Sequence, residues 1–337
     1  MCLNFKKIPS AFVVWDTNAY RSFVARKNEE QIKQDTLKLL SAENAKNYQG
    51  HMCSIVAIEL MSHWLDDSHE RSYKSCIAGA KLMYEHCRID ANHFRALPQT
   101  EVQIAHDFYH RPATNSILTQ NAIGQDLSKM YACEIGKEQD VIESIKEDLL
   151  KTCNFIANGE DGIRNVAHSF LRTYDPNYKN DYKPFINDDA NRKRSLEYLR
   201  SQQFVEETSL AMLVAVAMYI DVPITANLEE YKKDENLMKQ IQRYADQYMT
   251  SIKFRQLWME KLVGGSYDMS ISKHANSIWD EHVLHFVNQT IQGRPIIFVS
   301  CDGAMKEAAN KTGAINKVMN LNEYLELIGC NVTLNVN

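Results

Sequence analysis

Residues 11–18 read AFVVWDTN, and residues 295–302 read PIIFVSCD. Each stretch contains a short apolar run of β-branched and aromatic residues, which predicts a strand buried on both faces. The first run ends at Asp16, and the second is followed closely by Asp302. In a parallel α/β sheet, the carboxyl ends of the strands line a common crevice. The two stretches therefore predict an α/β fold in which Asp16 and Asp302 lie at one edge of the sheet.

Composition and charge limit the classes of protein to which the chain can belong. Of its 337 residues, 45% are hydrophobic and 24% are charged. These values are typical of a globular protein, for which two domains are the simplest division at this length. The formal net charge is −5, so any contact with nucleic acid needs a local basic patch rather than bulk attraction.

The sequence also indicates a cytoplasmic protein with no membrane partner. Residues 1–10 lack the apolar segment of a secretory signal. The longest apolar run, residues 209–220, is too short to span a bilayer. The eight cysteines are scattered without a CxxC pair, which is typical of reduced thiols.

Two further acids lie on predicted helices. Residues 54–60 read SIVAIEL, and we expect a helix that Ser54 caps. This helix carries Glu59 within or beside its apolar stripe, where a carboxylate is costly to bury without a partner. Asp280 lies on a helix predicted over residues 277–293, which a glycine closes. After Asp302 the chain predicts a helix, a short strand and a last helix.

The middle of the chain, residues 108–267, is predominantly helical in composition. We expect a helix over residues 138–159 that ends at Gly159. Residues 172–194 predict a polar loop with two prolines.

Taken in order, these motifs resemble the PIN-domain ribonuclease family. That family has an apolar strand ending in Asp-x-Asn, matched by VVWDTN, and a helix led by serine that carries a glutamate, matched by SIVAIEL. A later helix carries an inward aspartate, matched by SIWDEHVLHF, and a last strand runs into Ser-x-Asp, matched by IIFVSCDGAMKEAANKTG. The resemblance covers residues 1–107 and 268–332. It implies a PIN-like parallel-sheet sandwich in which residues 108–267 form a large α-helical insertion domain.

The family pattern, carried over by position, implies a set of site residues. The implied catalytic and metal-binding acids are Asp16, Glu59, Asp280 and Asp302. Asn18 and Ser300 match polar positions that support such a site, and Glu281 and Asp268 are alternatives to Asp280. Carboxylates suit hard cations, so the implied cofactor is Mg²⁺ or Mn²⁺.

The activity implied by the resemblance is that of a metal-dependent endoribonuclease. It would hydrolyse RNA phosphodiester bonds by a metal-activated water and leave a 3′-hydroxyl and a 5′-phosphate. The implied setting is a toxin–antitoxin or stress-response system. A protein inhibitor or a second copy of the chain, in a homo-oligomer, is the expected protein partner.

A segment of the predicted loop interleaves aromatic rings with cations, which suits single-stranded RNA. A solvated loop without that role is the alternative. The candidate RNA-binding residues are Tyr178, Lys179, Tyr182, Lys183, Arg192, Lys193 and Arg194.

The residues leave other interpretations of the acids open. Asp16 and Asp302 also suit the capping of the helices that follow them, and Glu59 suits a buried pairing with a Lys or Arg. A haloacid-dehalogenase-like phosphotransferase also places an Asp after its first strand, but it needs a second acid where this chain has Asn18. A non-catalytic RNA- or protein-binding module with a vestigial PIN site is the remaining alternative.

Overall fold

The computed structural model describes most of the chain. The described residues are 9–90, 93–134, 136–181, 186–223, 231–291 and 293–334, without the side chains of 114–118, 272 and 273.

A small open sheet of mixed direction lies at the centre of the described chain. Its five strands are β1 (Ala11–Trp15), β2 (Tyr48–Gly50), β3 (Thr290–Ile291), β4 (Arg294–Val299) and β5 (Val318–Met319). The order is β2-β1-β4-β3, and β5 also pairs with β4. The pairs that β1 forms with β2 and β4 are parallel, as is the pair of β4 with β5, whereas β3 runs antiparallel to β4.

The two strands predicted from the apolar runs form the centre of this sheet. All five residues of β1 are buried, and so are the last four of β4. Their register pairs Trp15 with Val299, so both strands reach their carboxyl ends at the same level. The prediction of an α/β fold with both strands buried is confirmed.

Helices surround the sheet and make up most of the described chain. The first eight are α1 (Thr17–Val24), α2 (Glu29–Lys46), α3 (Ser54–Ser62), α4 (Arg71–Cys87), α5 (Thr100–Tyr109), α6 (Thr114–Ala132), α7 (Glu138–Ser144) and α8 (Lys146–Tyr174). The remaining ones are α9 (Asp189–Leu199), α10 (Gln202–Tyr219), α11 (Glu235–Val263), α12 (Ser272–Ala275), α13 (Ser277–Leu284), α14 (Gly303–Lys311) and α15 (Leu321–Ile328). Within the described ranges, no helix combines the length and the apolar character needed to cross a lipid bilayer.

The helices of residues 108–267 pack directly on those that flank the sheet. In the described chain, α8 packs against α3, α6 against α4, and α11 against α14. One continuous apolar cluster includes residues of both regions, such as Val14 of β1 and Tyr244 of α11. The division into a nuclease core and an insertion domain stays a prediction.

A buried polar network joins the helices α1, α2, α4 and α15. Glu43 of α2 accepts hydrogen bonds from Tyr324 Oη of α15 at 2.6 Å and from His86 Nε2 of α4 at 3.0 Å. His86 Nδ1 accepts in turn from the hydroxyl of Tyr20 in α1, at 3.0 Å. Each of these side chains is almost fully buried. Because unsatisfied buried polar groups are costly, the network favours this one arrangement of the four helices.

Several predicted boundaries are wrong. The helix predicted over residues 277–293 ends at Leu284, because a turn and the antiparallel strand β3 follow it. Ser54 does not cap α3; the N-cap position belongs to Cys53, and the Ser54 hydroxyl is buried with no described partner. Part of the predicted polar loop forms helix α9, which Asp188 caps.

Gly159 does not end a helix but lies in the middle of α8. A Cβ built on Gly159 would lie 2.1 Å from Cζ2 of Trp279. The glycine therefore allows the indole ring of α13 to pack against the backbone of α8. A sequence pattern that treats glycine as a helix stop cannot detect this tertiary contact.

Substitution of Gly159 tests the contact between α8 and α13. Alanine favours a helix over glycine by about 1 kcal/mol, but here its methyl group would overlap the Trp279 ring. We expect Gly159→Ala to lower the free energy of unfolding by about 1–3 kcal/mol, as overpacking does, measured by urea denaturation.

Gly162 provides the matched control in the same helix, because a Cβ at that position meets no described atom within 4 Å. Gly162→Ala should stabilise the protein by up to about 1 kcal/mol. Equal effects of the two substitutions would contradict the proposed role of Gly159.

Candidate functional site

Asp16 lies at the carboxyl end of β1 and is buried, with 5% of its surface exposed. Its Oδ1 accepts from the backbone N–H of Ala19 at 2.5 Å, which caps α1. Its Oδ2 accepts from the hydroxyl of Ser300 at 2.5 Å. Burial raises the pKa of Asp16 to about 7, although both hydrogen bonds oppose this shift. The expected helix-capping role of Asp16 is confirmed.

Ser300 joins the two strand ends. Its hydroxyl donates to Asp16 and accepts from the backbone N–H of Asp302 at 3.0 Å. Asp302 Oδ1 accepts from the backbone N–H groups of Ala304 at 2.6 Å and Met305 at 3.0 Å, and so caps α14. The two acids lie at the same sheet edge, as the strand pattern predicts.

Glu59 reaches this edge from the second turn of α3. The hydroxyl of Thr17, the first residue of α1, donates to its Oε2. Burial raises the pKa of Glu59, while the charges of His63 and Arg21 act in the opposite direction. In the described chain, Glu59 forms no ion pair with a Lys or Arg, so the alternative of a buried salt bridge is not observed.

Asp280, on the first turn of α13, is half-buried. Its carboxylate accepts no hydrogen bond and forms no ion pair with any described residue. Burial raises its pKa well above the usual value, and the charges of Asp302, Glu59 and Asp16 raise it further. The four predicted acids therefore lie within electrostatic range of one another.

The two alternatives to Asp280 have other roles. Glu281 is buried and forms an ion pair with Arg255, with Nη2 2.8 Å from Oε1. Asp268 is exposed and accepts from the backbone N–H of Ser270 at 2.9 Å. Of the three candidates, only Asp280 is in electrostatic range of the other three acids and lacks a described partner.

The carboxyl groups approach one another without forming a closed set of ligands. Within the described residues, no group of three or more His, Cys, Asp or Glu side chains is placed to hold a metal ion. Asp16 and Asp302 are oriented by their helix caps, and Glu59 is oriented by Thr17. The side chains would have to draw closer to share one cation.

Two polar residues at this edge, Thr17 and Tyr267, were missed in the sequence. Thr17 contacts Glu59, whereas Asn18, one position later, is exposed, and its supporting role stays a prediction. Burial raises the pKa of Tyr267, and the charges of Asp280 and Asp302 raise it further, so its hydroxyl lies near these two acids. Thr17 is detectable as a hydroxyl next to Asp16, but the sequence carries no signal for Tyr267.

The candidate RNA-binding residues have different environments in the described part of the chain, and their role stays a prediction. Tyr178 is buried, and His168 Nδ1 lies 3.0 Å from its hydroxyl. Arg192 pairs with Asp189. Lys179 and Lys193 are exposed. Arg194 donates to Tyr174 O at 3.2 Å. Tyr182 and Lys183 lie outside the described residues.

No family model matches the chain, and comparison with curated proteins and with solved structures gives no significant match.

The Asp280→Asn substitution tests whether burial and the neighbouring acids together destabilise the charged form of Asp280. The folded protein holds the proton of Asp280 more tightly than the unfolded chain does. The folded state therefore binds more protons above a pH of about 4, and its free energy of unfolding falls as the pH rises. Asparagine keeps the shape without the charge. We expect the stability of Asp280→Asn relative to wild type to grow with pH, by at most about 1.4 kcal/mol per pH unit, in metal-free urea denaturation.

Asp268→Asn is the matched control, because that carboxylate is exposed and is not among the charges that raise the pKa of Asp280, so it should not show the same increase in stability with pH. If the stability difference for Asp280→Asn stayed constant from acid to alkaline pH, the cluster would not carry mutual repulsion.

Proposed function

We propose that this protein is a metal-dependent endoribonuclease whose acidic cluster binds Mg²⁺ or Mn²⁺. The observation that carries the proposal is the carboxylate of Asp280. It is half-buried, has no described hydrogen-bond or ion-pair partner, and is in electrostatic range of three other carboxyl groups. A divalent cation would neutralise this arrangement.

The energetic argument for a cation is simple. Two carboxylates about 4 Å apart repel by roughly 4 kcal/mol at an effective dielectric of 20. A cluster of four acids therefore destabilises the fold unless protons or a cation reduce the charge. Proteins retain such a cost mainly where a site needs it, which makes perturbed acidic clusters good candidates for function.

The donor chemistry fits a hard divalent cation, provided that the carboxyl groups move closer together. Three of them retain oxygens that accept no hydrogen bond from a described residue: Oε1 of Glu59, both oxygens of Asp280 and Oδ2 of Asp302. These three residues would hold the ion. Asp16 would add negative charge near the ion, and the hydrogen bond from Ser300 sets its orientation.

When bound, the ion would supply an activated water and stabilise the charge on the phosphate. The chain's own residues would prepare the site in three ways. Thr17 fixes the rotamer of Glu59, and Ser300 couples the positions of Asp16 and Asp302. A Cβ built at Gly303 meets no described atom within 4 Å, so open space adjoins the start of α14.

RNA as the substrate rests on the resemblance to PIN-domain ribonucleases. The same resemblance supports a 3′-hydroxyl and a 5′-phosphate as products, and a toxin–antitoxin or stress-response setting. An inhibitor protein or a homo-oligomer remains part of the proposal. With a net charge of −5, substrate contact would depend on local cations such as the exposed Lys179 and Lys193.

The phosphotransferase alternative is less well supported. A nucleophilic aspartate needs an accessible, ionised oxygen. Asp16 is buried, both of its oxygens accept hydrogen bonds, and its pKa is raised to about 7. The second acid that this chemistry uses is replaced by the exposed Asn18.

An RNA cleavage assay with and without Mn²⁺ tests the proposal. We expect wild-type protein to cleave mixed single-stranded RNA only with the metal present. Asp280→Asn should lose cleavage by at least about 100-fold and should weaken Mn²⁺ binding in calorimetry, because it removes a charged ligand. Asp268→Asn should retain both properties.

The two readouts separate the alternatives. Mn²⁺ binding that depends on Asp280, without RNA cleavage, would refute the ribonuclease but keep the cation site. Absence of both binding and cleavage would favour a non-catalytic module in which Asp16 and Asp302 serve only as helix caps.

A further inference from the structure

A cavity of about 670 Å³ lies between α3, the start of α5, α6, α8 and α13. This volume is within the range of small-molecule sites in proteins, roughly 300–1,000 Å³. Residues from both regions of the predicted fold line the cavity: α3 and α13 belong to the nuclease-like part, and α6 and α8 to the helical part.

The walls of the cavity are mainly apolar and partly aromatic. Ile55 and Ile58 come from α3, and Ile123 comes from α6. The rings of Phe155 and Trp279 lie with their centroids 5.1 Å apart and their planes at 33°. Such walls suit a flat apolar molecule that can stack on an aromatic ring.

Two hydrogen-bond donors in this wall have no described partner. Ser54 is 3% exposed and Trp279 is 4% exposed. The Ser54 hydroxyl and the Trp279 indole N–H are both buried without a hydrogen bond to a described residue. Because neither atom is accessible to a molecule in the cavity, both donors lie behind its surface, and neither donates to a ligand there.

The charged groups that line the cavity are paired. His282 Nε2 lies 3.6 Å from Glu101 Oε1, and His282 Nδ1 donates to Ile278 O at 2.8 Å. Lys151 Nζ lies 3.0 Å from Asp148 Oδ1. Asp126 Oδ1 lies 2.9 Å from Lys129 Nζ. With these charges balanced locally, the cavity favours a neutral molecule over an ion.

We propose that this cavity is a binding site for a neutral, flat aromatic small molecule. The aromatic body packs between Phe155 and the apolar side chains of α3.

Occupancy of the cavity also bears on the acidic cluster, a step that rests on the proposed function. The helix α3 presents Ile58 to the cavity and Glu59 to the cluster, and α13 does the same with Trp279 and Asp280. A ligand that holds α3 and α13 in one arrangement changes the spacing of two candidate metal ligands. By thermodynamic reciprocity, Mn²⁺ and the cavity ligand then alter each other's affinity by the same factor.

The test uses prodan, a neutral naphthyl ketone whose fluorescence shifts to the blue in apolar surroundings. We expect saturable one-to-one binding to the full-length protein. Ala122 lines the cavity and is exposed on α6, so Ala122→Trp should block the entrance without disturbing the core. The matched control is Ala132→Trp, at an exposed position at the end of the same helix.

The outcomes decide the proposal. Loss of binding in Ala122→Trp, with unchanged thermal unfolding and with wild-type binding in Ala132→Trp, supports the site. Absence of saturable binding by wild type, or wild-type binding by Ala122→Trp, overturns the site.

A prodan titration repeated with Mn²⁺ separates this inference from the proposed function. An altered prodan affinity supports coupling between the two sites. If Mn²⁺ binds and prodan affinity is unchanged, the coupling is wrong while both sites stand. If prodan binds but Mn²⁺ does not, the cavity stands, and the proposed function and the coupling both fail.

Discussion

The pairing of β1 with β4 is the constraint on which the site depends. These strands are separated by almost the whole chain, yet their register places Trp15 opposite Val299. Each strand is followed by an acid that caps a helix, so the pairing brings two helix N-termini to one edge. Ser300 then joins the two acids through one hydroxyl. This pairing brings together Asp16 and Asp302, which are far apart in the sequence.

Two opposing electrostatic effects act at this edge. The backbone N–H groups at the starts of α1 and α14 stabilise the carboxylates of Asp16 and Asp302. Mutual repulsion and burial act against the charged forms, most strongly at Asp280, which lacks a described partner. The caps explain why two of the acids are compatible with a stable fold. They do not explain Asp280, which is why that residue carries the functional argument.

The helical region contributes to the same part of the molecule through tight packing. Gly159 of α8 lets the ring of Trp279 approach the backbone, and Asp280 follows Trp279 directly on α13. The position of a candidate catalytic residue therefore depends on a contact with a helix that the PIN resemblance does not cover. The cavity described above is lined by residues of the same two helices, α8 and α13.

Local patterns in the sequence were sufficient to determine the two central strands and the helix caps at Asp16 and Asp302. They also selected the four acids, whose metal-binding role stays a prediction. A buried strand needs an apolar run, and a helix start favours an acid, so both leave a direct mark on neighbouring residues. The end of α13, the interior position of Gly159 and the burial of Tyr178 were decided by tertiary packing. The same holds for the spacing of the carboxyl groups and for the proximity of Tyr267 to them. These features depend on which distant side chains share a space, and that information is not contained in any short stretch of the chain.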